Sequence, residues 1–280
     1  MRRGAMRMLS LIALAVASGA VAQGQQADKP GMGFRDTPML PGGKWHVHDP
    51  DRPAPKVVTP AAQPGGAPSD AVVLFDGRSM EAWTPSGKPW VLKDGAMTVP
   101  PRDGKGESVL VSKQSFGDVQ LHLEFRSPNP PQKSSQDRGN SGIWFMQRYE
   151  VQILDGYDNP TYADGQVGAV YAWKPPLVNA ARKPGQWQSY DIIFERPRFA
   201  ADGKLLRPAY VTVFLNGVVV QNHQAMLGTT VWRQVEKYQA HGDAAPIQLQ
   251  DHDSPVSFRN IWVRPLPPEA IAQDLPEDAR

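Results

Sequence analysis

The sequence contains no cysteine among its 280 residues. This absence excludes a disulfide framework, a thiolate metal site and a cysteine nucleophile. An excess of one charge is also absent, because 30 Lys and Arg face 28 Asp and Glu, for a net charge of +2. Proteins that bind nucleic acid usually carry a clustered basic face. We therefore expect no nucleic-acid partner.

Several familiar catalytic motifs are missing as well. The sequence has no H-E-x-x-H pattern, no G-x-S-x-G nucleophile elbow and no glycine loop of the kind that holds phosphates. These absences remove the common zinc protease, α/β-hydrolase and nucleotide-binding classes. The chemistry must come from side chains that the fold brings together.

The first 22 residues have the order of a secretory signal peptide. Basic residues precede an apolar run at 8–17, and small residues ending in Ala20-Val21-Ala22 follow it. The run is shorter than the ~20 residues that a membrane-spanning helix needs. We expect cleavage after this segment, export to the periplasm or the extracellular space, and no stable membrane span in the mature protein.

The remaining chain divides into three parts by composition. Residues 23–69 are rich in proline and glycine and have too few apolar residues to offset the entropy of ordering, which predicts an extended arm or linker. His46 and His48 in this arm would share one side of an extended chain, either as a metal pair or as part of a docked segment. Residues 70–266 form the predicted globular domain, and the acidic residues 267–280 a disordered tail.

Short apolar runs separated by turn residues recur throughout the predicted domain, whereas windows long enough for a helix are interrupted by Gly, Pro, Asn or Asp. Asn216-Gly217 between two such runs is typical of a two-residue hairpin. Many short strands predict an antiparallel sandwich or barrel, and the domain length favours two large sheets with a curved face, as in a jelly roll. The runs predicted as strands are 71–75, 90–92, 96–99, 108–111, 119–125, 141–146, 149–154, 188–195, 210–215, 218–221, 246–250 and 256–263.

One predicted strand carries a polar pair on one face. Val151 and Ile153 would point into the core, which places Glu150 and Gln152 side by side on the opposite face, about 6–7 Å apart. The pair could form the floor of a concave site, which Glu124 on another strand could extend. The alternative is an ordinary strand face turned to solvent.

A second candidate pair lies near the C-terminus. His252 ends one predicted strand and Arg259 lies in the next, so a short hairpin could bring them to one edge. Histidine transfers protons near neutral pH, and arginine binds oxyanions through its fork of donors. Alternatively, His252 is a turn residue and Arg259 a structural ion-pair partner of Asp251 or Asp155.

These segments, together with others, resemble a known family. The similar runs follow the family's order over residues 70–265, and they are Leu74–Gly77 with Trp83, Gly139–Ile143, Tyr149–Asp155, Pro184–Trp187, Leu215–Gly217, Leu249–His252 and Phe258–Ile261. Together they resemble the 3-keto-disaccharide hydrolase domain, also known as the 3-keto-glucoside 1,2-lyase/3-keto-2-hydroxyglucal hydratase domain. The resemblance implies an all-β fold, a concanavalin A-like antiparallel jelly-roll sandwich.

The resemblance also implies action on glycosides that carry a ketone at C3. Loss of the C2 proton and β-elimination at C1 would give a glucal, and addition of water would give the 3-keto sugar. On this basis the expected catalytic residues are Glu150, His252 and Arg259. The expected substrate-binding residues are Gln152, Glu124, Asn140, Asp251 and Trp187. A divalent metal ion is a candidate Lewis acid, with Glu150, His252 and Asp155 as candidate ligands, and no organic cofactor is expected.

The chain departs from the family pattern at two positions. Asp253 stands where a glycine usually follows the Asp-His pair, and Gln188 stands where the family usually has Asn. Gln188 retains the side-chain amide of the family's Asn, whereas Asp253 adds a charge beside His252.

Two other functions remain open. Glu150, Gln152 and Asp155 superficially echo the E-x-D-x-x-E strand of laminarinase-type glycosidases, but Gln152 replaces the middle carboxylate and Asp155 falls on the other strand face. A non-catalytic carbohydrate-binding module is the second alternative. Sugar rings could stack on tryptophans there, although Trp144, Trp173, Trp187 and Trp232 could equally be core residues.

Overall fold

The computed structural model describes residues 32–100 and 108–271. The predicted signal peptide at 1–22 lies outside the described residues, as do residues 272–280 of the predicted tail. Within the described part, no helix is long and apolar enough to cross a membrane. Pro268–Ala270 form a 3-10 helix and Ile271 is buried, so ordered structure extends beyond residue 266.

The described residues form seventeen strands and three short 3-10 helices. The strands are β1 Val72–Phe75, β2 Trp83–Ser86, β3 Val91–Lys93, β4 Ala96–Thr98, β5 Val109–Phe116, β6 Val119–Arg126, β7 Ser141–Phe145, β8 Tyr149–Ile153, β9 Gln188–Glu195, β10 Arg198–Phe199, β11 Leu205–Arg207, β12 Tyr210–Leu215, β13 Val218–Ala225, β14 Thr230–Val231, β15 Gln234–Val235, β16 Ala245–Leu249 and β17 Ser257–Pro265. The 3-10 helices are Ser135–Asp137, Ala163–Gly165 and Pro268–Ala270.

The all-β prediction is confirmed, and each predicted run overlaps a strand. Asn216 and Gly217 connect β12 to β13 with φ values of 53° and 81°, the positive values that a type I′ hairpin turn requires. Strands β2, β10, β11, β14 and β15 were not predicted, because two to four residues are too few to show an alternating pattern.

The strands form two large antiparallel sheets. One has the order β13-β12-β9-β6-β17-β4-β3, with β1 also paired to β17, and the other has the order β2-β5-β16-β7-β8. Strands β10 and β11 pair separately, as do β14 and β15. The sheets meet through apolar inner faces, where Phe145 of β7 stacks on Phe194 of β9 with 4.6 Å between ring centroids. Since these strands belong to different sheets, the domain is a sandwich rather than a barrel.

The prediction that a short hairpin brings His252 and Arg259 to one edge is wrong. Strand β16 lies in the five-stranded sheet, whereas β17 pairs with β6 and β4 in the eight-stranded sheet. The connection between them therefore crosses from one sheet to the other. Two apolar runs separated by a few turn residues look the same for a hairpin and for such a crossing.

The compact unit that contains the sandwich begins before residue 70. It starts at Lys56, and the carbonyl of Gly65 accepts hydrogen bonds from Trp262 Nε1 and Asn260 Nδ2, each at 2.9 Å. Residues 56–69 are thus part of the domain rather than a linker.

The preceding described residues, 32–55, belong to a separate unit. Met39 and His46 form a bridge there, and Arg35 pairs with Asp51. The chain turns at His48, whose φ is 60°. The two histidines therefore do not lie along one extended strand, and the ring of His46 contacts the Thr37 carbonyl.

The stacked pair between the sheets makes a direct test of this packing. We expect Phe194→Ala to lower the free energy of unfolding by about 3–5 kcal/mol, because it removes a fully buried ring and leaves a cavity. Its neighbour Ile193 points outward and is 40% exposed. Ile193→Ala should cost less than about 1 kcal/mol, and equal losses in denaturant unfolding would contradict the assignment of the two faces.

Candidate active site

A pocket of about 720 Å³ opens on the outer face of the five-stranded sheet. Its size suits a small organic ligand, since such pockets usually measure roughly 300–1,000 Å³. The lining residues come from β7, β8 and four surrounding segments, one of which contains β14. They are Gln136, Asp137, Asn140, Trp144, Glu150, Gln152, Tyr162, Tyr171, Thr229, Thr230, Val231, Trp232, Gln250 and His252.

Strand β8 places its polar pair on the floor of this pocket. Val151 and Ile153 are fully buried in the core, so the alternating Glu150 and Gln152 face the other way. Covering loops leave Glu150 only 3% and Gln152 only 1% exposed. This strand face therefore lines an enclosed site and is not an ordinary solvent face.

The carboxyl of Glu150 lies over the neighbouring strand. Gly142 of β7 has no side chain, and a Cβ built there would overlap Glu150 Oε1. The glycine thus provides the space that the carboxyl occupies. Burial raises the pKa of Glu150 from its ordinary 4.5 to about 8, because the charged form loses its hydration. At neutral pH the side chain is mainly protonated and can donate a proton.

Two buried polar atoms of the pocket lack a partner within the described structure. They are the acceptor Gln152 Oε1 and the donor Trp144 Nε1. The amide of Gln152 is oriented by its Nε2, which donates to Gln136 Oε1 at 3.1 Å. A buried polar group without a hydrogen bond typically costs about 1–3 kcal/mol, so a free donor and a free acceptor in one pocket indicate a polar ligand.

Backbone contacts hold other members of the pocket wall in place. Asn140 Nδ2 donates to the carbonyl of Gln136 at 2.6 Å. Ser141 Oγ donates to the carbonyl of Gln250, also at 2.6 Å. These bonds tie the start of β7 to the loop before it and to the end of β16, whose following residues include His252.

Asp251 organises the turn that presents His252. Its Oδ1 accepts from the Asp253 amide at 2.8 Å and its Oδ2 from the Ser108 amide at 3.0 Å. Asp251 is buried and does not line the pocket, so it acts on the position of His252 rather than on a ligand.

Asp253 has a φ of 56°, in the left-handed region that favours glycine, which explains the family's usual residue there. Its carboxylate pairs with Lys133 Nζ at 2.9 Å.

The structure does not bring Arg259, Glu124 and Trp187 to this pocket. They lie on the outer face of the eight-stranded sheet, where Arg259 Nη2 contacts Glu124 Oε2 at 2.6 Å and its guanidinium stacks on Trp187 at 4.2 Å. Arg259 alternates with the buried Phe258, which forces it to the outside of the sandwich. Its ion-pair partner is Glu124 rather than Asp251 or Asp155.

Two further predicted residues also serve the scaffold. Asp155 is buried and bonded to Arg138, with 2.9 Å between Oδ2 and Nε. Gln188, the substitute for the family's Asn, exchanges hydrogen bonds with the Arg182 backbone and accepts from Asn216. Neither residue lines the pocket.

The candidate metal ligands do not form a set. Glu150 and His252 line the pocket, but Asp155 is engaged by Arg138. Among residues 32–100 and 108–271, no group of three or more His, Asp or Glu side chains could hold a metal ion. The described donors therefore do not form a preformed metal centre.

Several residues that line the pocket were not predicted from the sequence. Asp137, Tyr162 and Tyr171 come from loops without hydrophobic periodicity, so no sequence pattern marks them. Trp144 and Trp232, considered as stacking residues, line the pocket. Trp144 could have been assigned to it, because it pairs with Glu150 across β7 and β8 and paired residues share a face.

Comparison with known proteins identifies the family. Residues 70–264 match the 3-keto-alpha-glucoside-1,2-lyase-like domain. The chain belongs to this family. The resemblance seen in the sequence is thereby confirmed, and membership supports a carbohydrate-active function with a carbohydrate substrate. A search of curated proteins found no match.

Solved structures agree with the assignment. A "putative glycosyl hydrolase" from Parabacteroides distasonis ATCC 8503, at 2.13 Å resolution, is 46% identical, with a TM-score of 0.72, over 82% of this chain and 100% of that chain. A second "putative glycosyl hydrolase" from the same organism, at 1.70 Å, is 18% identical, with a TM-score of 0.51, over 71% of this chain and 94% of that chain. The second similarity concerns the fold alone.

The burial of Glu150 predicts a pH dependence of stability. Its pKa of about 8 in the folded protein is above the ordinary 4.5. Proton binding to Glu150 therefore favours the folded state. This stabilisation is fully present below the ordinary pKa of 4.5 and is lost as the pH rises through the folded-state pKa of about 8. We expect Glu150→Gln to flatten the decline in unfolding free energy between about pH 5 and about pH 9.

The matched control is Glu81→Gln, which changes an exposed carboxylate of the same type. Denaturant unfolding of the control should follow the wild-type pH dependence. A Glu150→Gln protein that loses as much stability with rising pH as the wild type would show that Glu150 does not titrate in this range.

Proposed function

We propose that this protein cleaves glycosides carrying a ketone at C3, by β-elimination and subsequent hydration. The observation that supports this reaction best is the presence in one pocket of His252 and of the buried Glu150, whose pKa is raised by its burial. Elimination needs a base for the C2 proton, an acid for the leaving oxygen and a donor for the enolate. The pocket contains a group for each task.

His252 is the proposed base. A C3 ketone acidifies the adjacent C2–H bond, and a neutral imidazole can accept the proton near neutral pH. The electrons of the C2–H bond form a C2–C3 double bond, and the π electrons of the C3 carbonyl move onto its oxygen, which gives an enolate. Trp144 Nε1, the buried donor without a partner, would hydrogen-bond this oxygen where the negative charge develops.

Glu150 is the proposed acid. The enolate oxygen forms the C3 carbonyl again and the C2–C3 π electrons form the C1–C2 double bond. The C1–O bond breaks, and the leaving oxygen takes the proton of Glu150. A pKa of about 8 keeps this proton in place at neutral pH and close to the value from which transfer is efficient. Gln152, with its free Oε1, and Asn140 would bind sugar hydroxyls.

Hydration returns both groups to their starting states. Water adds to C1 of the glucal and gives a proton to the Glu150 carboxylate, while the His252 imidazolium returns a proton to C2. The net reaction adds one water across the glycosidic bond and leaves the 3-keto sugar and the free aglycone.

A second candidate is direct hydrolysis of an unoxidised glycoside. It is favoured by Asp137, a second carboxylic acid on the pocket lining. A retaining glycosidase uses two carboxyl groups about 5–5.5 Å apart, one as the acid and one as the nucleophile. This reaction needs no ketone, so the substrate separates the two candidates.

The first experiment compares a 3-keto glucoside with its unoxidised parent. We expect cleavage of the keto substrate alone, and a loss of about 10²–10⁴-fold in kcat for Glu150→Gln and for His252→Asn, with Glu81→Gln as the unaffected control. Activity should decline above about pH 8 as Glu150 loses its proton. Release of product is followed by chromatography, and folding of each variant by circular dichroism.

Each other outcome has a defined meaning. Cleavage of both substrates, lost in Asp137→Asn, would replace the proposal with direct hydrolysis. Binding of both without cleavage would indicate a carbohydrate-binding module. Cleavage of the keto substrate at an unchanged rate in Glu150→Gln would remove Glu150 from the mechanism.

A separate test concerns the space beside Glu150. We expect Gly142→Ala to lower kcat by at least about 10²-fold, the lower end of the loss expected for Glu150→Gln. The reason is that the new Cβ must displace the Glu150 carboxyl. Gly242→Ala is the matched control, since the nearest heavy atom to its Cβ would be 4.0 Å away. Full activity of Gly142→Ala would show that the carboxyl acts from another position.

A further inference from the structure

A second compartment adjoins the pocket. It has a volume of about 430 Å³, and it shares Tyr162, Tyr171 and Trp232 with the main pocket. The other lining residues are Asp164, Ala172, Arg233, Gln234 and Val235. The two volumes therefore adjoin where these three aromatic side chains lie.

The compartments differ in chemistry. The main pocket offers a carboxyl, an imidazole, several amides and two buried polar atoms without partners. The second compartment is lined mostly by aromatic and aliphatic groups, with Asp164 and Arg233 as its charged residues. The hydroxyls of Tyr162 and Tyr171 bond to each other at 3.1 Å, which reduces their capacity to bind further hydroxyls.

Trp232 is a large, exposed aromatic side chain that lines both compartments. It is 62% exposed, and the neighbouring Val235 is 74% exposed. The two-residue turn between β14 and β15 presents it, and the Arg233 guanidinium lies 5.2 Å from its ring centroid. Exposed apolar groups clustered at a pocket often mark a binding surface.

The hairpin that carries Trp232 is bonded directly to the strand that carries Glu150. Thr230 of β14 is buried, its Oγ1 accepts from the Glu150 amide at 3.1 Å, and its own amide donates to the Arg148 carbonyl at 2.9 Å. The loop that contributes Asp164 and Ala172 is connected within itself, because the Ala172 amide donates to the Asp164 carbonyl at 3.0 Å. The turn that carries Trp232 is therefore connected to the strand of the proposed acid through Thr230, two residues before it.

We propose that the second compartment binds the leaving group and selects an aromatic aglycone, which stacks on Trp232. The inference deepens the proposed function and rests on it, since the sugar would occupy the main pocket and Glu150 would protonate the oxygen between the two. An aromatic ring matches the apolar lining. A second sugar would bring several hydroxyls to walls whose tyrosine hydroxyls already bond each other.

The test compares an aryl 3-keto glucoside with the methyl 3-keto glucoside. We expect Trp232→Ala to lower kcat/KM for the aryl substrate about tenfold, mainly through KM, because one good aromatic contact corresponds to about that factor. The methyl substrate should lose clearly less than the aryl substrate, because a methyl leaving group offers no ring to stack on the indole, and Trp232→Phe should recover most of the aryl activity. Comparing each substrate with itself across variants cancels the better leaving ability of the aryl group.

Leu206→Ala is the control for removing an exposed apolar side chain, since Leu206 is as exposed as Trp232 and lines neither compartment. It should leave both substrates unchanged. An equal loss on both substrates in Trp232→Ala would overturn the selection of the aglycone while leaving the cleavage reaction in place.

A binding measurement separates failure of the inference from failure of the proposed function. Calorimetry with unoxidised aryl and methyl glucosides needs no turnover. Tighter binding of the aryl glucoside by the wild type, lost in Trp232→Ala and largely kept in Trp232→Phe, would support the compartment even if no keto substrate is cleaved. Equal affinity of the wild type for both glucosides would contradict it.

Discussion

The register between β7 and β8 is the constraint on which the site depends. In this pairing Trp144 lies opposite Glu150 and Gly142 opposite Gln152, so the polar pair of β8 shares its face with the indole and the glycine of β7. A shift of one residue would turn the carboxyl of Glu150 into the sandwich and expose Val151, because side chains alternate along a strand. The apolar core therefore enforces the arrangement of the site, and the missing side chain at Gly142 leaves the carboxyl its place.

The site retains polar groups at an energetic cost. Glu150 is buried away from charges that could stabilise its anion, and Gln152 Oε1 and Trp144 Nε1 have no partner within the described structure. A fold selected only for stability would pair such groups or replace them with apolar ones. Their presence in one pocket, together with membership of a carbohydrate-active family, is consistent with a site whose polar atoms are satisfied by a substrate.

The opposite face of the sandwich provides an internal contrast. Glu124 and Arg259 are of the same residue types as catalytic groups, yet each satisfies the other, and Arg259 also covers Trp187. His122 is bonded to Asp191 at 2.7 Å and stacks on Trp262. These contacts stabilise the outer face of the eight-stranded sheet. Residue type alone therefore does not distinguish the two faces, whereas the presence of unpaired polar atoms in a cavity does.

The sequence by itself determined the local features of this protein. Alternation within β6, β8 and β9, the turn at Asn216-Gly217 and the ordered family motifs depend on residues close together in the chain, and from them the all-β fold, the family and the outward direction of Glu150 and Gln152 could be predicted. Only the tertiary structure decided that β17 joins the sheet opposite β16, which separates Arg259 from His252. It also decided that loops bring Asp137, Tyr162 and Trp232 to the same pocket. The physical reason is that these arrangements depend on packing between segments distant in the chain, for which local periodicity carries no signal.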